Sequence, residues 1–180
     1  MRSYLFLGTL LVCGLVGAQE TIESQLQQVL ARLDKLEREN EERVGRTQVA
    51  FSAALVNSTT WTDVGPFNSY KTLEFKRVIT NIGNAYNPDT GIFTAPVKGL
   101  YYFRFTGVVG SSGLLNAGLK RNGVNIIAIH HKAGTQASAT NGVTLELEQG
   151  DRIYVQIWEN LTIADQSRLS TFSGFLVFPL

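Results

Sequence analysis

The chain has 180 residues, of which 44% are hydrophobic and 17% are charged. This length and composition suit one folded domain with accessory segments and exclude an intrinsically disordered protein. The 16 Lys and Arg residues nearly balance 15 Asp and Glu residues, so the chain lacks the basic excess that nucleic-acid binding requires. One Cys and two His exclude an internal disulfide and a structural zinc centre.

The first 18 residues have the order of a secretory signal peptide. Arg2 precedes an apolar run over residues 4–16, and small residues follow up to Ala18. A membrane anchor is the alternative, but Gly residues interrupt the run and it is shorter than the roughly 20 residues that a spanning helix needs. We therefore predict cleavage after Ala18, secretion and no membrane span. Cys13 leaves with this segment, so the mature chain is predicted to contain no Cys.

Residues 19–46 are predicted to form a coiled-coil stalk. They are rich in charge and contain no Pro. The spacing of the apolar residues alternates between four and three, which is typical of a coiled-coil interface, and a buried Asn in such an interface fixes its register. The interface positions are Ile22, Leu26, Val29, Leu33, Leu36 and Asn40. The alternative is a single amphipathic helix packed on the following domain.

After the stalk the hydrophobic pattern changes to a period of two, which indicates antiparallel strands. Residues 49–55, 99–109, 143–148, 153–158 and 171–178 alternate in this way or are rich in Val, Ile, Phe and Tyr. Asn122-Gly123 is typical of a two-residue hairpin, because both residue types tolerate positive φ. The pattern predicts an all-β sandwich over residues 47–180.

The last predicted strand carries aromatic residues on both faces. Strict alternation places Phe172 and Phe178 on one face and Phe175 on the other. A sandwich that exists as a monomer needs one buried face per strand. We therefore expect a neighbouring subunit to cover the second face; a strand at the centre of a monomer's core is the alternative.

Eight aromatic, Asn and Gly positions at fixed spacing resemble a family signature. They are Phe75, Asn81, Tyr86, Phe93, Gly99, Tyr101, Phe103 and Phe105. The chain over residues 47–180 is similar to the globular head of complement component one-q and its relatives, whose fold is a jelly roll like that of tumour necrosis factor. Residues 170–180 and 81–84 look most like the cerebellin branch.

The resemblance implies a homotrimer. The chain lacks three features that are found in some relatives. No Gly-X-Y collagen repeat precedes the head, so recruitment of collagen-bound proteases is not implied. The predicted mature chain lacks the Cys residues that join cerebellin trimers into hexamers. The loop that holds calcium in some relatives corresponds to residues 130–141, which contain no carboxylate, so we expect no calcium there.

No enzyme motif is present. The chain lacks a Gly-x-Ser-x-Gly elbow, a His-Glu-x-x-His pair and a phosphate-binding Gly-Lys loop. His130 and His131 are adjacent, so on a strand they point to opposite faces and cannot chelate one ion together. We expect no catalytic residue, no cofactor and no metal. The alternative is that copies of one His from three subunits meet on a symmetry axis and form a metal site or a pH-sensitive site.

Two surface features complete the pattern. Asn57-Ser58-Thr59 and Asn160-Leu161-Thr162 are acceptor sequences for N-glycosylation, and we expect both Asn57 and Asn160 to be modified in a secreted chain. The basic pairs Lys76-Arg77 and Lys120-Arg121 are interpreted as solvated surface, with contact to anionic glycans as the alternative.

The sequence favours a secreted, non-enzymatic recognition protein. Its head is predicted to trimerise, and its loops to bind an extracellular ligand with the avidity of three linked sites. The resemblance implies either innate immunity, with microbial surface molecules as targets, or bridging of cell-surface receptors as cerebellins do. The missing Cys residues favour immunity. A self-assembling matrix protein is a further alternative.

Overall fold

The computed structural model describes residues 22–42, 48–132 and 134–180. The chain divides into two units, Met1–Arg46 and Thr47–Leu180. The signal peptide predicted over residues 1–18 lies outside the described residues, as do both ends of the predicted stalk.

In the first unit, helix α1 spans residues 22–42. It contains no Gly or Pro, and a salt bridge of 3.7 Å joins Lys35 to Glu39 one turn later. The apolar residues at the predicted coiled-coil positions are 49–63% exposed in the single chain. A helix of this kind gains stability mainly by packing its apolar stripe on a partner. The coiled coil itself stays a prediction.

The second unit is built from strands. Those described are β1 (Ala50–Ala54), β2 (Thr62–Val64), β3 (Lys71–Thr72), β4 (Arg77–Ile82), β5 (Tyr86–Asn87), β6 (Ile92–Thr94), β7 (Gly99–Val109), β8 (Leu115–Arg121), β9 (Val124–His131), β10 (Ala137–Leu147), β11 (Arg152–Ile157), β12 (Ile163–Asp165) and β13 (Thr171–Pro179).

The strands form two antiparallel sheets. Sheet one has the order β2-β12-β7-β13-β1-β4, and β10 pairs with the other edge of β7. Sheet two has the order β5-β6-β11-β8-β9, and β3 pairs with β11. The sheets enclose one hydrophobic core. The predicted all-β sandwich with an N-terminal helix is confirmed.

Aromatic rings fill the centre of this core. The ring of Phe51 on β1 stacks on Tyr86 with 4.7 Å between centroids and meets the edge of Phe172 at 4.8 Å. Phe93 on β6 contacts Phe103 on β7 edge to face at 5.1 Å, so both sheets contribute rings. Such pairs add stability beyond the area that they bury.

The predicted strands are present, with one large difference in length. β10 begins at Ala137, six residues before the predicted start at Val143. It pairs with β7 along its whole length, from Ala137 opposite Val109 to Leu147 opposite Gly99. Residues 137–142 are small and polar, so their sequence carries no strand periodicity. Their pairing with β7 makes them a strand.

The prediction that Phe178 lies on the same face of the last strand as Phe172 is wrong. Phe172 is fully buried, but Phe178 is 48% exposed. A register shift between Leu176 and Phe178 inserts one residue, so Phe178 pairs with Leu100 on the outer side of the sheet. A bulge of this kind reverses the facing of every later residue. Phe178 therefore shares the outer face with Phe175.

The hairpin expected at Asn122-Gly123 is confirmed. It joins β8 to β9, and both residues have positive φ, 49° for Asn122 and 93° for Gly123. These values suit the type of two-residue turn whose twist matches that of paired strands.

Candidate interaction surfaces

The signature residues lie together in the core of the sandwich. Phe75, Phe93, Tyr101, Phe103 and Phe105 are buried, as is Tyr86. Asn81 holds the start of β5: its Nδ2 donates to the Tyr86 carbonyl at 2.8 Å, and its Oδ1 accepts from the Tyr86 amide at 3.2 Å. Burial raises the pKa of the Tyr86 hydroxyl, which donates to the Phe75 carbonyl at 3.2 Å.

Gly99 shows why the signature needs a glycine at the start of β7. A Cβ atom there would stand 2.6 Å from the Leu176 side chain and 2.8 Å from the Phe178 carbonyl. Real Cβ atoms do not approach other atoms so closely, so β13 could not pair as it does. The signature residues are therefore packing residues of the sandwich core.

An unusual apolar surface lies on the outer side of sheet one. Ala50 on β1 pairs with Ile82 on β4 and with Phe175 on β13, and Phe175 in turn pairs with Tyr102 on β7. Phe178 and Leu100 form the next pair along the same strands. We call this surface the apolar face; it consists of Ile82, Ala50, Phe175, Tyr102, Leu100 and Phe178.

Large side chains of the apolar face are open to solvent in the single chain. Ile82 is 50% exposed, Phe175 46% and Phe178 48%. Tyr102 and Phe175 touch, with 5.5 Å between ring centroids. The Tyr102 hydroxyl reaches over Gly142 on β10, where a Cβ atom would stand 2.6 Å from it. Contiguous exposed apolar patches are a common feature of interaction surfaces.

The next row of the same sheet is polar. The hydroxyls of Ser52 and Ser173 lie 2.9 Å apart, and the Arg104 Nε donates to the Thr140 hydroxyl at 3.2 Å. The Thr106 hydroxyl donates to the same Thr140 oxygen at 3.0 Å. An apolar patch beside a polar margin is the arrangement found at protein interfaces.

Both predicted glycosylation sites lie on exposed loops. Asn57 follows β1 and is exposed. Asn160 follows β11, is exposed, and has the left-handed φ of 60°. Its backbone amide donates a hydrogen bond to the Phe67 carbonyl at 2.7 Å. The side-chain amide takes no part in this hydrogen bond. Exposed loop positions of this kind are accessible to modification.

The two histidines lie on β9. His130 is opposite Asn116 and His131 is opposite Leu115 on β8. The His131 Nε2 atom lies 3.4 Å from the Thr135 hydroxyl. Within residues 22–42, 48–132 and 134–180, no three His, Cys, Asp or Glu residues are grouped so as to hold a metal ion.

The two basic pairs of the sequence have different surroundings. Lys76 and Lys71 both pair with Glu74, at 3.2 and 2.8 Å, and their hydrogen bonds lower the pKa of that carboxyl. Arg121 pairs with Asp151 at 2.5 Å. Burial raises the pKa of Asp151, but hydrogen bonds from Asn122, the Glu148 amide and Arg121 outweigh it and lower the pKa overall.

Lys120 points away from its neighbour. Successive strand residues face opposite sides, so Lys120 lies on the outer side of sheet two, where its Nζ is 5.5 Å from the centre of the Trp158 ring. The sequence indicated the basic pair but not this aromatic contact, because Trp158 is 38 positions later in the chain.

The buried Asp165 had no signal in the sequence. Its two carboxylate oxygens accept the backbone amides of Val56 at 3.0 Å and of Ser170 at 3.2 Å. The Ser170 hydroxyl in turn accepts the Val108 amide at 3.0 Å. With both oxygens used by backbone donors, Asp165 joins three segments of sheet one and has a structural role.

The solved structures that resemble the chain share this sandwich. The globular domain of zebrafish complement 1qA protein matches with a TM-score of 0.57 and 22% identity, over 73% of this chain and 99% of that one. Murine APRIL matches with a TM-score of 0.56 and 16% identity, over 74% and 99%. Eiger TNF from S. frugiperda matches with a TM-score of 0.57 and 12% identity, over 74% and 95%. At these identities the likeness concerns the fold.

A search of the described residues for a helix long and apolar enough to cross a membrane finds none. The model of the C1q domain matches residues 50–177, which include every strand of the sandwich but the last two residues of β13. The chain therefore belongs to the C1q domain family.

Proposed function

We propose that this protein is a secreted, non-enzymatic recognition protein that acts as a homotrimer. Family membership supports a binding role in general. The observation that carries the trimer is the apolar face, where two large aromatic side chains of β13 are nearly half exposed. In the trimer, each copy covers the apolar face of a neighbour.

Burial of these side chains supplies the driving force for assembly. Fully burying a Phe or Ile side chain contributes about 1.5–3 kcal/mol, so a side chain that is half exposed in the single chain gains about half of that. Phe175, Phe178 and Ile82 recur in each of three copies, so the gain is multiplied by the symmetry. A closed ring of three also buries every copy of the patch, which keeps the assembly soluble.

Helix α1 supports the same assembly. Its exposed apolar stripe has the spacing of a coiled-coil interface. Three heptads are near the lower limit of independent stability, so the helix and the head each contribute to one trimer. We propose the interface positions Ile22, Leu26, Val29, Leu33 and Leu36, with Asn40 fixing the register.

Three linked heads turn weak contacts into tight binding, because after the first contact the others act at high effective concentration. We propose an extracellular ligand, a microbial surface molecule, and a role in innate immunity. A cerebellin-like bridge between cell-surface receptors is the second candidate function. The absence of Cys from the predicted mature chain favours the first, because covalent hexamers could not form.

Sedimentation velocity of the secreted chain tests the trimer. We expect one species of three times the chain mass at micromolar concentration. Phe175→Ser should shift it to monomer, whereas Val124→Ser, which changes an exposed apolar residue on the β8–β9 hairpin, should not. A folded wild-type monomer would overturn the proposal, and open-ended polymers would favour a matrix protein.

The biological role has a separate test. We expect transcription of the gene in the source organism to rise after bacterial challenge if the protein serves innate immunity. Expression confined to neural tissue, unchanged by challenge, would favour the receptor-bridging function instead.

A further inference from the structure

The outer side of sheet two carries a second surface, made of aromatic and amide side chains. On β11, Ile153, Val155 and Ile157 are fully buried, so the alternating residues Arg152, Tyr154 and Gln156 face outward. On β8 the same alternation places Asn116, Gly118 and Lys120 outward. With Trp158 and Asn125, these side chains form what we call the Trp158 face.

The Trp158 indole is fixed over a glycine. A Cβ atom at Gly118 would stand 2.9 Å from the indole ring and would also overlap the Asn125 Oδ1 atom. Only a residue without a side chain allows Trp158 and Asn125 to meet at this point of the sheet. The edge of the indole ring therefore lies directly on the sheet backbone at Gly118.

Other groups surround the indole. The Lys120 Nζ lies 5.5 Å from the ring centre, within the range of a cation–π contact. The Tyr70 ring lies 6.1 Å away at an angle of 57°, and Tyr70 is 53% exposed. The result is an aromatic surface with the Lys120 cation over the indole ring and amide side chains beside it.

The charged residues in the strands of sheet two are all basic. No strand of sheet two, all of whose residues are described, contains Asp or Glu. Two of its cations, Arg121 and Lys71, are paired with carboxylates from neighbouring loops. Lys120 and Arg152, which face outward, have no carboxylate partner among the described residues. The side chains named as the Trp158 face therefore include two cations and no carboxylate.

We propose that the Trp158 face binds a saccharide that carries carboxylates. Flat aromatic rings pack on the apolar faces of sugar rings. Amides such as Gln156, Asn116 and Asn125 both donate and accept hydrogen bonds, as sugar hydroxyls require. Lys120 and Arg152 supply the charges that favour an acidic sugar over a neutral one.

This inference rests on the proposed recognition role and gives it a ligand class. The Trp158 face lies on the outer side of sheet two and the apolar face on the outer side of sheet one, so the two faces share no residue. A nucleic acid is less suited, because two unpaired cations on a chain of formal net charge +1 neutralise few phosphates.

Tryptophan fluorescence is the direct readout. The chain has two Trp residues, so Trp61→Phe leaves Trp158 as the single reporter. Titration of this variant with an oligogalacturonate should give a saturable change. An uncharged galactose oligomer of equal length should bind at least about tenfold more weakly. Added salt should weaken the acidic probe more than the neutral one.

Calorimetry with the same oligogalacturonate tests the residues. Trp158→Ala should lower affinity at least about tenfold, and Lys120→Gln, which keeps Trp158 and Tyr70, should remove most of the preference for the acidic oligomer. Arg168→Gln is the matched control, since it removes one positive charge from the loop between β12 and β13. Circular dichroism verifies that each variant is folded.

Three outcomes would overturn the inference. The first is that the folded wild-type chain shows no saturable binding of oligogalacturonate. The second is that the Trp158 variant and the Lys120 variant both keep the wild-type affinity. The third is that a thymidine oligonucleotide binds more tightly than the oligogalacturonate. Sedimentation of the same samples separates the two proposals. A monomer that binds the acidic oligomer refutes only the trimer, and a trimer that does not bind refutes only the saccharide site.

Discussion

The rings of Tyr102 and Phe175 lie against each other, 5.5 Å apart at an angle of 44°, on the side of sheet one that faces away from the core. Their strand neighbours Phe103 and Phe172 point inward and are fully buried. β7 and β13 thus carry aromatic rings on both faces. This arrangement separates residues that stabilise the fold from residues that are available for assembly.

This separation predicts two different responses to loss of a ring. Phe103→Ala should lower the free energy of unfolding by about 3–5 kcal/mol, because it leaves a cavity in the core. Phe175→Ala should destabilise only to the extent that an assembly is lost, so its effect should grow with protein concentration. Denaturant unfolding at two protein concentrations measures both. A concentration-independent loss for Phe175→Ala would contradict the assignment of this residue to an interface.

The helix supplies a second prediction. Leu33→Ala with Leu36→Ala should lower the stability of the trimer by several kcal/mol per assembly, because each truncation is repeated in every chain. Gln28→Ala is the control, because Gln28 lies on α1 outside the proposed interface positions. The measurement is the concentration at which the assembly half dissociates. If the double variant and the control dissociate at the same concentration, α1 does not hold the chains together.

The lowered pKa of Asp151 predicts that the stability of the fold depends on pH. Its folded pKa lies below the unfolded value of about 3.9. The carboxylate therefore contributes stability that is present above the unfolded pKa and is lost as pH falls through the folded pKa. Asp151→Asn should lower stability at neutral pH and flatten the fall of stability as pH drops below the unfolded pKa. The control is Asp89→Asn on an exposed turn, and equal pH profiles for the two variants would contradict the role of Asp151.

The two acceptor sequences predict a glycoprotein. Secreted wild-type chain should lose mass on enzymatic removal of N-glycans, and the loss should fall stepwise in Asn57→Gln and Asn160→Gln. Both asparagines lie on exposed loops, which is the physical reason to expect modification at each. Intact mass spectrometry gives the count. A double variant with the same mass loss as wild type would place the glycans elsewhere.

Strands with one buried face could be predicted from the sequence alone. β7 was expected with its bounds as observed, because Tyr101, Phe103 and Phe105 alternate with less buried residues from Gly99 to Thr106. The start of β10 could not be predicted in this way. Ala137 and its small polar neighbours lie at the sheet edge beside β7, and edge positions need not be apolar.

The surfaces were harder to predict than the core. The double-faced aromatic pattern of the last strand indicated an extra covered face, and Phe175 does lie on the outer side. Phe178 was placed on the wrong face, because a bulge leaves no mark in the hydrophobic pattern. The contact of Lys120 with Trp158 across β8 and β11 was missed, since it joins residues far apart in the chain.

The sequence by itself determined the sandwich, its core rings and its family, because alternation and fixed spacing are local and reflect which side chains avoid water. The tertiary structure decided which residues share each outer face. Strand pairing brings distant segments together, and a single inserted residue reverses the facing of every later residue in its strand. The apolar face and the Trp158 face therefore exist only once the two sheets have formed.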